Sequence, residues 1–314
     1  MKKHKNLLLI GIMMCLSLTA SAKDDSWQLR ASGIVKGCTS EYDKAKAIYE
    51  WVCKNIDYDL SSEVFEAETC WKCHKGTCAA YSRLYVPLAR GAGLEADTIR
   101  GNSKTLLYTS GIRDHALVKV FCDNRWLLAD PTWGAGGIVF DNMGNYHFNH
   151  QYHSYWFDVD PAWMIFTHYP FTQSNQLLEK PLTAQQYATL PMMEPDMGEW
   201  GWDAHKALTF FLTHPKTAIP TLYNISDTLR GKMQFIEVPM TGRLKIKKPY
   251  RFVVKMLMDN AEPYLGPNVK WTRNGDTYTT TLTPSSKDKN YKLGIKLTRG
   301  QRWSVQSIMQ YTVK

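Results

Sequence analysis

Cysteine is sparse in this 314-residue chain: seven residues, too dilute for a small domain stapled by disulfides. Charged residues make up 21% and hydrophobic residues 44%, which excludes the compositions of a disordered chain and of a coiled coil. Twenty glycines and fourteen prolines with no three-residue period exclude a collagen-like fibre. The longest apolar run, residues 7–20, falls short of the roughly 18 residues that suggest a membrane span, so a polytopic membrane protein is excluded too. There is no internal repeat, low-complexity tract or long linker. What is present is an ordinary globular mixture, long enough for roughly two domains.

The first segment reads as an export signal. Lys2, Lys3 and Lys5 precede the apolar run, and Ala20-Ser21-Ala22 supplies a small-residue cleavage site. Residues 1–22 are therefore expected to be removed, leaving six cysteines and no integral membrane segment in a periplasmic or extracellular protein. Cys15 offers a lipidation site, but Met13-Met14 is a poor lead-in to one, so soluble export is preferred.

The net charge of +9 is unevenly placed. The leader carries three lysines, residues 23–214 balance at −6, and residues 215–314 balance at +12. The pattern changes at the same point. Residues 244–257 alternate, residues 269–282 break at Asn274-Gly275, and residues 291–297 and 303–313 flank Arg299-Gly300. This predicts a small antiparallel β-sandwich over 215–314, following an α+β domain over 23–214. Its lysines can be read as blunting exposed strands, or as contacting an anionic glycan or membrane. The export signal argues against nucleic acid.

Three stretches in the first region carry chemistry. In Lys75-Gly76-Thr77-Cys78-Ala79-Ala80, a glycine and then small residues place Cys78 at the first turn of a helix running towards Gly91 or Gly93, with Pro87 expected to kink it. A thiol there, or beside a charged imidazole, drops from a pKa of about 8.5 to about 3.5–7.5. Unpaired amides at the same helix end can hold an oxyanion. The second and third stretches, Asp114-His115 to Phe121 and Arg125 to Asp130-Pro131-Thr132-Trp133, are strand-like and separated by Asp123-Asn124. If that pair is a two-residue turn, Cys122 opposes Arg125, and His115 and Asp130 share one face as diagonal neighbours. A three-residue loop would put them on opposite faces. Asp114 faces the other way. Cysteine as nucleophile, histidine as base and aspartate as orienting partner form the generalised triad. Periodicity alone does not bring Cys78 to the hairpin, and a lone cysteine is also read as core packing.

Together the three stretches resemble the motifs of the transglutaminase-like superfamily of papain-related folds. Asp160-Pro161, His168-Tyr169-Pro170, Gln176-Leu177-Leu178 and Leu182-Thr183 extend the similarity to its kyphoscoliosis-peptidase-like branch. The resemblance implies an α+β core with the Cys78 helix packed on an antiparallel sheet bearing His115 and Asp130. It also implies attack on amide carbonyls through a thioester. Water as acceptor gives a peptidase or amidase, and a lysine amine gives a transglutaminase. It implies an aromatic oxyanion donor upstream of the cysteine, for which Trp51 and Tyr58 are the candidates; Trp51 also fits the core face of the helix begun by Ser40 and Asp43. His168 matches a family His-x-Pro without a mechanistic role.

Other signals in the sequence compete with this reading. Cys70-Trp71-Lys72-Cys73-His74 satisfies the haem-attachment pattern, but a haem would block the neighbouring Cys78 helix. A CxxC pair or local disulfide is preferred, with separate thiols or longer bridges among Cys38, Cys53, Cys70, Cys73 and Cys122 left open. His147, His150 and His153 invite a zinc reading, yet aromatic neighbours favour a cleft wall. The expectation is an exported thiol hydrolase acting on peptides or cell-wall peptides, with Cys78, His115 and Asp130 catalytic and no metal or organic cofactor. Amine-dependent crosslinking and a catalytically idle glycan- or protein-binding scaffold are the alternatives.

Overall fold

A computed structural model describes residues 26–104, 111–223, 225–226, 228–287 and 289–314. The expected leader and Cys15 lie outside the described residues. Contacts divide the chain into two units: residues up to Pro161 with His168–Pro181, and Ala162–Thr167 with Leu182–Lys314. The charge step near residue 215 thus falls inside the second unit.

The first unit opens with helix α1 (26–34) and α2 (Glu41–Asn55). Ser40 caps α2 by accepting the Asp43 N–H at 3.0 Å. Ala45, Ile48, Tyr49, Val52 and Cys53 fall on one face of α2 and are buried. Strand β1 (Asp57–Tyr58), α3 (Ala67–Cys73), β2 (Lys75–Gly76) and α4 (Cys78–Gly91) follow, with β1 and β2 paired in parallel. Helix α4 is the central element. It buries Ala80, Tyr81, Leu84, Tyr85, Leu88 and Ala89, contains Pro87, and packs on α2, α3 and the sheet.

The sheet comprises β3 (Glu95–Lys104), β4 (Ile112–Cys122) and β5 (Arg125–Ala129). After α5 (Pro131–Ala135) and the hairpin of β6 (Gly136–Phe140) and β7 (Tyr146–His150), β8 (His168–Pro170) completes it in the antiparallel order β5-β4-β3-β8. Asp123 and Asn124 make the β4–β5 turn with φ of 50° and 62°. That is the left-handed pair a two-residue hairpin requires, and it sets Cys122 opposite Arg125. At Gly101, β3 approaches β8 so closely that a Cβ would lie 2.3 Å from the Tyr169 carbonyl oxygen.

The second unit is rich in sheet. Helices α6 (Ala184–Thr189) and α7 (Ala204–Thr213) precede β9 (Thr221–Leu222), β10 (Met233–Glu237), β11 (Arg243–Leu244), β12 (Tyr250–Met256), β13 (Ala261–Tyr264), β14 (Thr272–Asn274), β15 (Thr277–Leu282), β16 (Asn290–Arg299) and β17 (Arg302–Val313). These form two sheets, β10-β12-β15-β14 and β11-β17-β16-β13, with β9 added to β17. Phe252 and Tyr311 join them, their rings 5.4 Å apart, and Val254, Leu293, Ile295 and Met309 are buried with them. The hairpin signalled by Asn274-Gly275 forms one residue later: Asn274 pairs with Thr277, and Gly275 turns at φ 62°. No helix among the described residues is long and apolar enough to cross a membrane.

Candidate active site

Cys78 is the first residue of α4, and the chain leading into it is tightly held. A Cβ on Gly76 would meet the Ala80 Cβ at 2.6 Å and the Cys70 sulfur at 3.0 Å, so only glycine lets β2 turn directly into the helix. Thr77 donates through its amide and its hydroxyl to the Val64 carbonyl, at 3.0 and 3.1 Å. Val64 is in turn fixed by Asp59, whose carboxylate accepts the amides of Ser61, Glu63 and Val64. This brace carries no obvious mark in the sequence beyond an Asp-x-Ser turn.

His115 points from β4 into the unit, and Asp114 beside it is exposed. Asp130 follows β5 and is the N-cap of α5. Its Oδ1 accepts the amides of Thr132 at 2.8 Å and Trp133 at 3.0 Å. The local sequence explains this: aspartate suits a cap, and Pro131, with no N–H to satisfy, suits the first helical position. Oδ2 is left for the ring. His115 Nε2 lies 2.7 Å from it, and the Cys78 thiol stands near enough to His115 for the ring to act on its ionisation. With Nε2 committed to the carboxylate, Nδ1 is the ring nitrogen left for exchanging a proton with the thiol.

The electrostatics follow from that chain of contacts. Burial pushes the Cys78 thiol pKa up, but the hydrogen bond and charge of His115 and the Ala116 N–H outweigh it and leave the thiol lowered. Burial pushes His115 down. The charge and hydrogen bond of Asp130, with the Cys78 thiolate, more than offset this and raise it to about 10. Asp130 is fully buried, which favours its neutral form, yet His115 and then His168 hold it well below the carboxylate range. The favoured charge state is a thiolate beside an imidazolium.

His168, on β8, is also fully buried. Its Nε2 lies 3.0 Å from the same Oδ2, at hydrogen-bond distance though off the ideal line. Trp133 and Trp156 flank its ring, with centroids 4.7 and 5.4 Å away. Ligand-type atoms of His115, Asp130 and His168 lie within 4.8 Å of one another, a spacing that would also admit an ion. The 2.7 Å contact to His115 is already that of a direct charge-assisted hydrogen bond.

The other sequence candidates are placed elsewhere. Trp51 stacks on Trp71 at 4.6 Å. Tyr58 lies on β1 opposite Gly76, beside the strand that leads to Cys78, with its ring 6.2 Å from Phe148. Cys38, Cys53, Cys70, Cys73, Cys78 and Cys122 are all free thiols, so the local disulfide is not formed. The histidine series does not converge. His150 meets Asp57 and the Cys53 carbonyl at 2.7 and 2.8 Å, His147 is exposed on the hairpin, and the His153 ring lies tilted 5.1 Å from that of Tyr155.

The profile of the transglutaminase-like superfamily matches residues 29–131, a span that contains Cys78, His115 and Asp130. The matched span is thus similar to a transglutaminase-like domain. Kyphoscoliosis peptidase of Homo sapiens is 25% identical over 286 residues, covering 85% of this chain and 41% of that protein. The Mus musculus protein of the same name is 29% identical over 167 residues, 50% of this chain and 25% of that one. Hillarin of Drosophila melanogaster is 25% identical over 177 residues, 51% and 22% respectively. The chain thus spans less than half the length of the curated relatives it matches. Within the matched span, the helix bearing the cysteine packs on the sheet that holds the histidine, as the motifs implied.

Proposed function

We propose that this chain is an exported thiol hydrolase acting on amide bonds of peptides, cell-wall peptides among them. The observation that carries the reading is the 2.7 Å pairing of His115 with buried Asp130, with His115 lowering the pKa of Cys78 at the start of a helix. The Cys78 thiolate attacks the amide carbonyl carbon, and the carbonyl electrons move to oxygen. The first amides of α4 have no intrahelical acceptor and serve as oxyanion donors. Of the side-chain candidates, Tyr58 is favoured over Trp51 because it pairs beside Gly76. Collapse breaks the carbon–nitrogen bond as His115 passes its proton to the departing amine, leaving a thioester. Water then attacks, His115 takes its proton, the carbon–sulfur bond breaks, and thiolate and carboxylic acid are released. Asp130 keeps the imidazole oriented and its charge compensated. The reaction needs no metal or organic cofactor.

The sequence is tested by treating the purified protein with iodoacetamide near neutral pH and locating the adduct. Selective labelling of Cys78 is expected, whereas uniform slow labelling of all thiols would favour an idle scaffold. Ammonia release from glutamine-containing peptides, with and without a primary amine, separates hydrolysis from crosslinking. The basic strands of residues 215–314 are proposed to contact an anionic glycan. Retention on a sulfated-glycan column that is lost by about 0.5 M salt supports this, and indifference to salt refutes it.

A further inference from the structure

Asp130 presents two oxygens to four donors, and the two oxygens have separate tasks. Oδ1 is taken by the α5 amides, and Oδ2 is approached by two imidazole nitrogens, His115 Nε2 at 2.7 Å and His168 Nε2 at 3.0 Å. A carboxylate has about four lone-pair sites, so all four nitrogens can approach it, His168 Nε2 at 3.0 Å and off the ideal line. We infer that His168 is a positioning residue: it shares Asp130 Oδ2 with His115 and so limits how strongly the carboxylate holds the catalytic imidazolium. This rests on the roles proposed above for Cys78, His115 and Asp130.

The argument is one of charge and geometry. One buried carboxylate can compensate one imidazolium. The two imidazole rings lie 5.0 Å apart, so a second positive charge there would repel the first. His115, which also contacts the Cys78 thiolate, takes the charge. His168, fully buried between Trp133 and Trp156, stays neutral; burial lowers its pKa. At 3.0 Å from a carboxylate oxygen, its neutral ring favours the tautomer with the proton on Nε2. A second donor on the same oxygen weakens the bond that oxygen makes to His115. The imidazolium then gives up its proton to a leaving amine more readily than it would facing an unshared carboxylate. The pleated sheet enforces the arrangement: Gly101 stands opposite both His115 on β4 and Pro170 on β8, and Ser103 pairs with His168. The titratable groups facing the pair are Cys78 from α4, His115 from β4, Asp130 from the α5 cap and His168 from β8.

The test compares wild type with His168→Phe, which keeps a ring between the tryptophans but loses the donor, and His168→Gln, which keeps an amide donor near Nε2. The readout is the rate of Cys78 alkylation by iodoacetamide across pH. With the donor lost, Oδ2 holds the imidazolium more tightly and the thiolate forms at lower pH. His168→Phe is therefore expected to alkylate about threefold faster on the acid limb, a shift of about half a pH unit. His168→Gln should track wild type. A purely structural role would loosen the site and move the limb the other way, or lower the melting temperature of both variants without moving it. An unmoved limb in folded His168→Phe, or equal shifts in both variants, overturns the inference. A wild-type Cys78 that reacts no faster than an ordinary thiol instead overturns the proposed function on which it rests.

Discussion

His115 Nε2 and Asp130 Oδ2 stand 2.7 Å apart where the carboxylate is wholly buried, so neither charge can turn to water when the other is removed. Asp130→Asn keeps the cap and the shape but presents an amide to the ring. If the triad template holds, turnover of a peptide amide falls by up to about 10⁴ while the fold survives. Asp130→Ala goes further. It strips the α5 cap and leaves an unpaired buried imidazolium or a neutral ring, at a cost of about 3–5 kcal/mol. Urea unfolding of the two variants separates the catalytic from the structural loss.

The same pair predicts a pH window for stability. His115 is raised to about 10 in the folded protein, against about 6.5 in an unfolded chain. Its contribution is whole below about pH 6.5 and drains away as pH climbs through 10. Asp130 is depressed, so its contribution is present above about pH 3.9 and is lost as pH falls through the depressed value. The gap in melting temperature between wild type and Asp130→Asn should be widest near pH 5–6 and narrow towards pH 10. A gap that does not change with pH would mean that the pair is not ionised as described.

Thiol chemistry should single out one cysteine. Burial raises Cys70 to about 12 and Cys122 to about 11, and pushes Cys53 well above the ordinary thiol value. Cys78 is instead lowered, the hydrogen bond and charge of His115 outweighing its burial. At pH 6, iodoacetamide should modify Cys78 at least about tenfold faster than Cys53, Cys70 or Cys122, as read by peptide mass mapping. His115→Ala should erase that preference. Preferential labelling that survives the substitution would place the cause in the helix terminus instead.

Much of the site could be read before the fold, because its determinants are local. Asp123-Asn124 dictates a two-residue turn, and the turn fixes the register that sends His115 and Asp130 to one face. Asp-Pro at 130–131 is at once a helix start and the carboxylate's anchor. Gly76 precedes Cys78 because no side chain fits against Ala80. The role of His168 could not be read this way. It lies 38 residues beyond Asp130 and arrives only because β8 pairs with β3, and such a long-range pairing leaves no periodic trace. In the second unit the strand pattern revealed the sheets but not their registers: Asn274-Gly275 marks a turn that is actually made by Gly275 and Asp276. The charge step near residue 215 reports surface composition, whereas contacts group Leu182 onward with the strands.

Gly101 ties the sheet to the site and can be tested directly. An added Cβ would meet backbone atoms at 2.3 Å (Tyr169 O) and 2.9 Å (Pro170 Cα), and a strand backbone cannot rotate aside as a side chain can. Gly101→Ala must push β8, and with it His168, away from β3. The expected loss is about 1–3 kcal/mol, seen as a lower urea midpoint at unchanged slope. Gly137→Ala, on β6 with nothing within 4 Å of the added atom, should stay within about 0.5 kcal/mol of wild type. Because β8 carries His168, the alkylation profile of Gly101→Ala should move in the same direction as that of His168→Phe. Stability lost without that movement would mean that β8 is displaced without taking His168 from Asp130.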